Sequence, residues 1–222
     1  MLTKHLEDSL ILMEGIGAFC VKRKATDNSG ALYHVSPIFD STDVLFRLLK
    51  DQSESLKFNI QGDSVVVDPV RQIGCIIIDQ SRFTFVAIIS ILESTAKDIS
   101  LKEGFPVKTF LDNEKPKERE KRKYLKDIMS ASASEELKLI TVENNEEWKF
   151  LLDIRNALVH SNAIPDKDLV CVVYGKSYFF KKGEEIMNGD IQSLFIFSKK
   201  AVELFYEWSQ KHEKCVKAIM TN

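Results

Sequence analysis

Arg155, Asn156 and His160 lie within six residues of one another, in the run Asp153-Ile154-Arg155-Asn156-Ala157-Leu158-Val159-His160-Ser161. A guanidinium stays charged and meets phosphate oxygens with a planar fork, while an imidazole gains or loses a proton near neutral pH. Together they supply what cleavage of a phosphodiester without a metal needs: neutralisation of charge on phosphorus and a carrier for protons. At about 100° per residue, positions 156 and 160 share one face of a helix, and the long Arg155 side chain can swing back toward it from the neighbouring position. One helix can thus present a guanidinium, an amide and an imidazole to a common point. The same residues also have a structural reading, in which Arg155 pairs with an acid such as Glu93 or Asp153 and His160 places its charge at the helix end.

The helix that must position them is predicted over about residues 146–162. Asn144 or Asn145 can cap it, Glu146 and Glu147 suit its positive end, and Trp148, Leu151, Leu152, Ile154, Leu158 and Val159 give it an apolar side before Pro165. Two further amphipathic helices are expected over residues 3–21 and 41–56, with a loop over 26–37 between them. A long helix capped by Ser81 and running to about residue 102 carries apolar side chains in nearly every direction, which marks it as central. Residues 191–220 predict another long helix with a broad apolar face. Two hairpins are expected, one turning at Gly62-Asp63 between Phe58, Ile60 and Val65 to Val67, the other at Gly175-Lys176 between 169–173 and 178–180. The expected fold is a mostly α-helical bundle with two small inserted β-hairpins, as a single domain over 1–222.

Composition sets the frame. The 222 residues carry 31 Lys plus Arg against 33 Asp plus Glu, a net charge of −2, and are 44% hydrophobic. That balance excludes wholesale disorder and excludes nucleic-acid binding by global basicity, leaving only a local patch for that purpose. Such a patch exists in 115–126, KPKEREKRKYLK, with seven basic and two acidic side chains. It is expected as an exposed helix and loop, in which Lys117, Arg119, Lys121, Arg122 and Lys123 either face water or contact RNA phosphates, the latter making affinity fall steeply with salt. Lys181, Lys182, Lys199 and Lys200 are weaker candidates of the same kind. Trp148, Trp208, Phe195, Phe197 and Phe205 are expected in the core, and Tyr174 and Tyr178 either stack on bases or pack across strands. The four cysteines form no metal-ligand spacing, and no cofactor or metal motif is present, so none is expected. The apolar stretch 75–92 is broken by Asp79, Gln80, Ser81 and Arg82, and no export signal is seen at the start, which predicts a cytoplasmic protein with no membrane association.

Arg155-Asn156-Ala157-Leu158-Val159-His160 resembles the R-N-x-x-x-H form of the motif of the HEPN superfamily, the higher eukaryote and prokaryote nucleotide-binding domains. The motif segment carries the likeness in detail, and the helical scaffold around it is of the same kind. The resemblance implies a homodimer across the motif helix, with two copies of Arg155 and His160 in one cleft, cutting RNA without a metal. His160 would move protons, Arg155 would stabilise the phosphoryl charge, and Asn156 would hold the ring or touch phosphate. It further implies a toxin or phage-defence role, with an antitoxin protein as a candidate partner. In one subset of the family a Tyr two residues after the His is the site of control by a nucleotidyltransferase antitoxin; this chain has Asn162 there and departs from that pattern. Glu93 or Asp79 is a candidate to orient His160. The alternatives are a catalytically silent dimerisation or ligand-binding module of the same fold, and a helical bundle unrelated to RNA.

Overall fold

A computed structural model describes residues 2–56, 69–102, 104–114, 124–186 and 191–221. Among them the chain forms seven helices and one antiparallel hairpin, in the order α1 (Leu2–Lys24), α2 (Ala31–Leu56), α3 (Pro69–Ser100), α4 (Pro106–Glu114), α5 (Leu125–Ser132), α6 (Val142–His160), β1 (Leu169–Val173), β2 (Lys176–Phe180) and α7 (Ile191–Met220). The mostly helical character follows the periodicity of the sequence. The expected hairpin around Gly62-Asp63 lies outside the described residues, as do Lys117, Arg119, Lys121, Arg122 and Lys123.

In α1 the spaced residues Leu6, Leu10, Met13 and Ile16 are all buried. They pack against α2 and α7. Helix α2 starts ten residues before the expected boundary, inside the stretch predicted as a loop. Its start is built by Asp27, whose carboxylate accepts the Leu32 N–H at 2.7 Å and the Ser29 N–H at 3.2 Å. Gly30, at φ +74°, makes the turn that feeds the helix. Pro37 then sits inside α2 without the N–H that would reach back one turn. Burial of Val35 and Phe39 on either side holds the helical path across it.

Helix α3 also begins earlier than the sequence suggests. Ser81 does not cap it: the residue is buried in mid-helix, and its hydroxyl donates back to the Ile77 carbonyl at 2.7 Å. Phe85, Ile88, Ile89 and Leu92 are fully buried against neighbouring helices, while Ile76 and Phe83 are exposed, so α3 is central along one side only. By length and mean hydropathy (1.7), Gln72–Ser100 is apolar enough to cross a membrane; here it packs against α2 and α7.

The hairpin docks through aromatic rings. Phe197 of α7 meets Tyr178 at 4.8 Å, Phe150 of α6 at 5.3 Å and Phe180 at 6.2 Å between centroids. Pairing of Val173 with Lys176 makes Tyr174-Gly175 the two-residue turn, one position before the expected one. Both residues have positive φ (49° and 75°), the signature of a type I′ rather than a II′ turn. At the other end of α7, Trp208 donates its indole N–H to Ser132 at 2.9 Å, tying α7 to α5. His212, 2% exposed, lies between the rings of Trp208 and Phe105, 5.4 and 5.9 Å away.

Candidate functional site

The motif helix α6 is started by Thr141, not by Asn144 or Asn145. The Thr141 hydroxyl accepts the Asn144 N–H at 3.1 Å, while Asn145 is buried in the first turn. Trp148, Leu151 and Ile154 are fully buried and anchor the helix in the bundle. Arg155 beyond them is half-buried, and Asn156 and His160 are exposed.

At its other end α6 stops abruptly after His160. The Ala157 carbonyl accepts the N–H groups of Ser161 (3.1 Å) and Ala163 (2.9 Å), and Asn162 and Ala163 both take left-handed backbone, at φ 50° and 64°. Two consecutive non-glycine residues in that region cost about 1–2 kcal/mol each, less for Asn. The surroundings impose it: Ala163 is buried, and its carbonyl accepts the Ile186 N–H at 2.7 Å. The strained pair turns residues 161–169 back along α6 and forms one wall of a cleft.

This cleft has a volume of about 560 Å³. Arg155, Asn156 and His160 all line it, so the three residues singled out by spacing share one opening. Glu93 of α3 and residues 124–127, at the N-cap and first turn of α5, also line it. Asp79 is exposed and takes no part in the lining.

The Arg155 side chain is 23% exposed. It donates to Asn156 Oδ1 at 2.9 Å and faces the Glu93 carboxylate at 3.6 Å. Its Nε is buried and donates to nothing among the described residues, a deficit of about 1–3 kcal/mol. Glu93, 13% exposed, is shared with Lys97 at 3.0 Å. Asp153, the other acid expected to pair with Arg155, instead binds Lys167 at 2.7 Å, and that bond raises the Lys167 pKa above its ordinary value. Asn156 therefore contacts the guanidinium rather than the imidazole. His160 is exposed, and no side chain among the described residues hydrogen-bonds its ring. Charge in the lining is unequal among the described residues: Glu93, Asp127, Asp153 and Asp166 against Lys126 and Arg155.

The sequence did not single out Tyr124, Asp127 or Asp166. Tyr124 is 64% exposed on the cleft, with Lys97 Nζ 5.7 Å from its ring centroid. Its only signal was an aromatic residue at the end of a charge-dense run. The tyrosines proposed for stacking have other partners. Tyr178 is core, and the Tyr174 hydroxyl binds Glu203 while Lys199 and Lys200 lie near its ring. Burial, the first cause, and the Glu203 bond then push the Tyr174 phenol well above its usual range. Lys181, Lys182, Lys199 and Lys200 lie away from the cleft; Lys181 pairs with Glu184 at 2.8 Å and Lys200 with Glu147 at 3.0 Å. Among the described residues no group of three or more His, Cys, Asp and Glu is arranged to hold a metal ion. Comparison with family models, curated proteins and solved structures finds no match to this chain.

Proposed function

We propose that the chain is a metal-independent endoribonuclease of HEPN type that works as a homodimer across α6, as a toxin or phage-defence effector. The observation that carries this reading is the opening of Arg155, Asn156 and His160 onto one cleft, with an imidazole and a guanidinium Nε that have no hydrogen-bond partner among the described residues. In the reaction the ribose 2′-OH next to the scissile bond attacks phosphorus. His160 accepts the hydroxyl proton, and His160 of a second copy donates one to the departing 5′-oxygen. Arg155 neutralises the charge that builds on the phosphoryl oxygens, and Asn156 holds the guanidinium in place. The products are a 2′,3′-cyclic phosphate and a 5′-hydroxyl.

A second reading, a catalytically silent dimerisation or ligand-binding module, is favoured by the excess of carboxylates in the lining and by the Arg155–Glu93 pair, both of which oppose phosphate binding. Incubation of wild type and His160→Ala with single-stranded RNA in EDTA separates the two, with the oligomeric state of each followed by sedimentation. The expected result is cyclic-phosphate ends from wild type alone, with both proteins dimeric. Intact RNA with the wild-type dimer establishes the silent module. Growth arrest in bacteria that express wild type but not His160→Ala is the corresponding expectation for a toxin.

A further inference from the structure

Among the described residues the cleft carries more acids than bases, and such a wall repels a polyanion unless some of the acids meet something other than phosphate. Two of the four are already engaged: Glu93 with Lys97 and Arg155, Asp153 with Lys167. Asp127 and Asp166 form no ion pair and no side-chain hydrogen bond among the described residues. Asp127 stands in the first turn of α5, and its N–H donates to the carbonyl of Tyr124, the N-cap residue, at 3.0 Å. Tyr124 as N-cap and Asp127 within the first turn both line the cleft, so an exposed aromatic ring and a carboxylate open onto it within one helical turn of each other. The link to the guanidinium is short: Lys97 Nζ lies 5.7 Å from the Tyr124 ring and 3.0 Å from Glu93, which faces Arg155 at 3.6 Å.

We propose that Tyr124 and Asp127 form a guanine-binding subsite beside Arg155 and His160, with the base stacked on the Tyr124 ring and its edge against the Asp127 carboxylate. An aromatic face stacks on any base, so the carboxylate decides which one. Guanine alone presents two adjacent donors, N1–H and the 2-amino group, that match the two oxygens of a carboxylate. Cytosine and adenine offer an amino group beside a ring nitrogen acceptor, and uracil N3–H is flanked by two carbonyls; each sets a lone pair against the second oxygen. Such a site turns an electrostatic liability into base selection. As part of a ribonuclease the proposal rests on the reading above, and it makes the substrate an RNA with guanine next to the scissile phosphate. The same chemistry also fits a free guanine nucleotide.

The test measures binding of GMP, IMP and UMP by calorimetry, and cleavage of uridine-rich oligonucleotides that hold a single G or a single inosine. It uses the full chain as wild type, Tyr124→Phe, Tyr124→Ala and Asp127→Asn. Expected are roughly tenfold tighter binding of GMP than of IMP or UMP, a tenfold loss in Tyr124→Ala and Asp127→Asn, and none in Tyr124→Phe. In the cleavage arm the same two variants raise KM for the G substrate and leave kcat nearly unchanged, whereas a merely structural role for either residue moves the unfolding midpoint instead. GMP preference without RNA cleavage assigns the site to a free nucleotide, in which case the ribonuclease reading fails and this one stands. Cleavage without preference for G, or equal binding of the three nucleotides, overturns the subsite and leaves the ribonuclease untouched.

Discussion

His212 should make the fold sensitive to acid in a calculable way. The imidazole is buried between Trp208 and Phe105, its Nε2 has no hydrogen-bond partner among the described residues, and burial lowers its pKa to about 4 from an ordinary 6.5. Lys102, Glu213 and Lys217 line the same groove, and Glu213 is bound to Asn28 and Lys217. A histidine with a depressed native pKa leaves stability at its full value above about pH 6.5, where both states are neutral. The unfolded chain takes up the proton first as pH falls, so stability is lost between about 6.5 and 4. A native pKa of about 4 against 6.5 in the unfolded chain corresponds to about 3 kcal/mol over the whole range, of which about 2 kcal/mol is gone at pH 5. The perturbation is His212→Phe, which keeps a flat ring and removes the titration. Urea unfolding of both proteins at pH 7.5, 6, 5 and 4 gives two curves, and contributions from other groups cancel in their difference. That difference should move by about 3 kcal/mol in favour of the variant toward low pH. Parallel curves, or an NMR titration of the His212 ring centred near 6.5, would refute the reasoning.

Three more outcomes are expected. Thr141→Ala removes the α6 cap and should cost about 1 kcal/mol in urea unfolding, while the Glu143 carboxyl, held low by bonds to its own backbone and to Thr141, rises toward its ordinary value. Gly175→Ala forces a side chain onto backbone at φ 75°, and a loss of about 1–2 kcal/mol is the measurable cost of the hairpin turn. Burial, then the charges of Asp40 and Asp27, raises the Cys20 thiol to about 11, so iodoacetamide at pH 8 should label exposed Cys75 at least tenfold faster; equal rates would contradict the buried placement.

Periodicity was a good guide where a helix buries one continuous stripe, as in α1 and α7, whose limits came out nearly as expected. It misled where punctuation residues were overruled by packing. Pro37 and the polar run before it suggested a loop, yet Asp27 starts a helix there; Ser81 suggested a start, yet its hydroxyl turns inward within α3. At the site, a shared helical face brought Arg155, Asn156 and His160 together because that spacing is a local property. Glu93 was named both as a partner for Arg155 and as an acid to orient His160, and it faces Arg155 at 3.6 Å. Tyr124 and Asp127 were not legible, since their place on the cleft depends on how α5 packs against α3 and α6, and no local pattern encodes that.

The left-handed corner after His160 has a dynamic consequence. Hydrogen bonds from Ser161 and Ala163 to Ala157, and from Ile186 to Ala163, brace the main chain on both sides of the imidazole. Most of the ordering of this wall is therefore completed during folding, before any ligand arrives, and what remains to be fixed is the rotation of one ring about two bonds. A molecule entering here meets a jaw already set, so the speed of its capture should depend on reorientation of that ring and not on rearrangement of the loop.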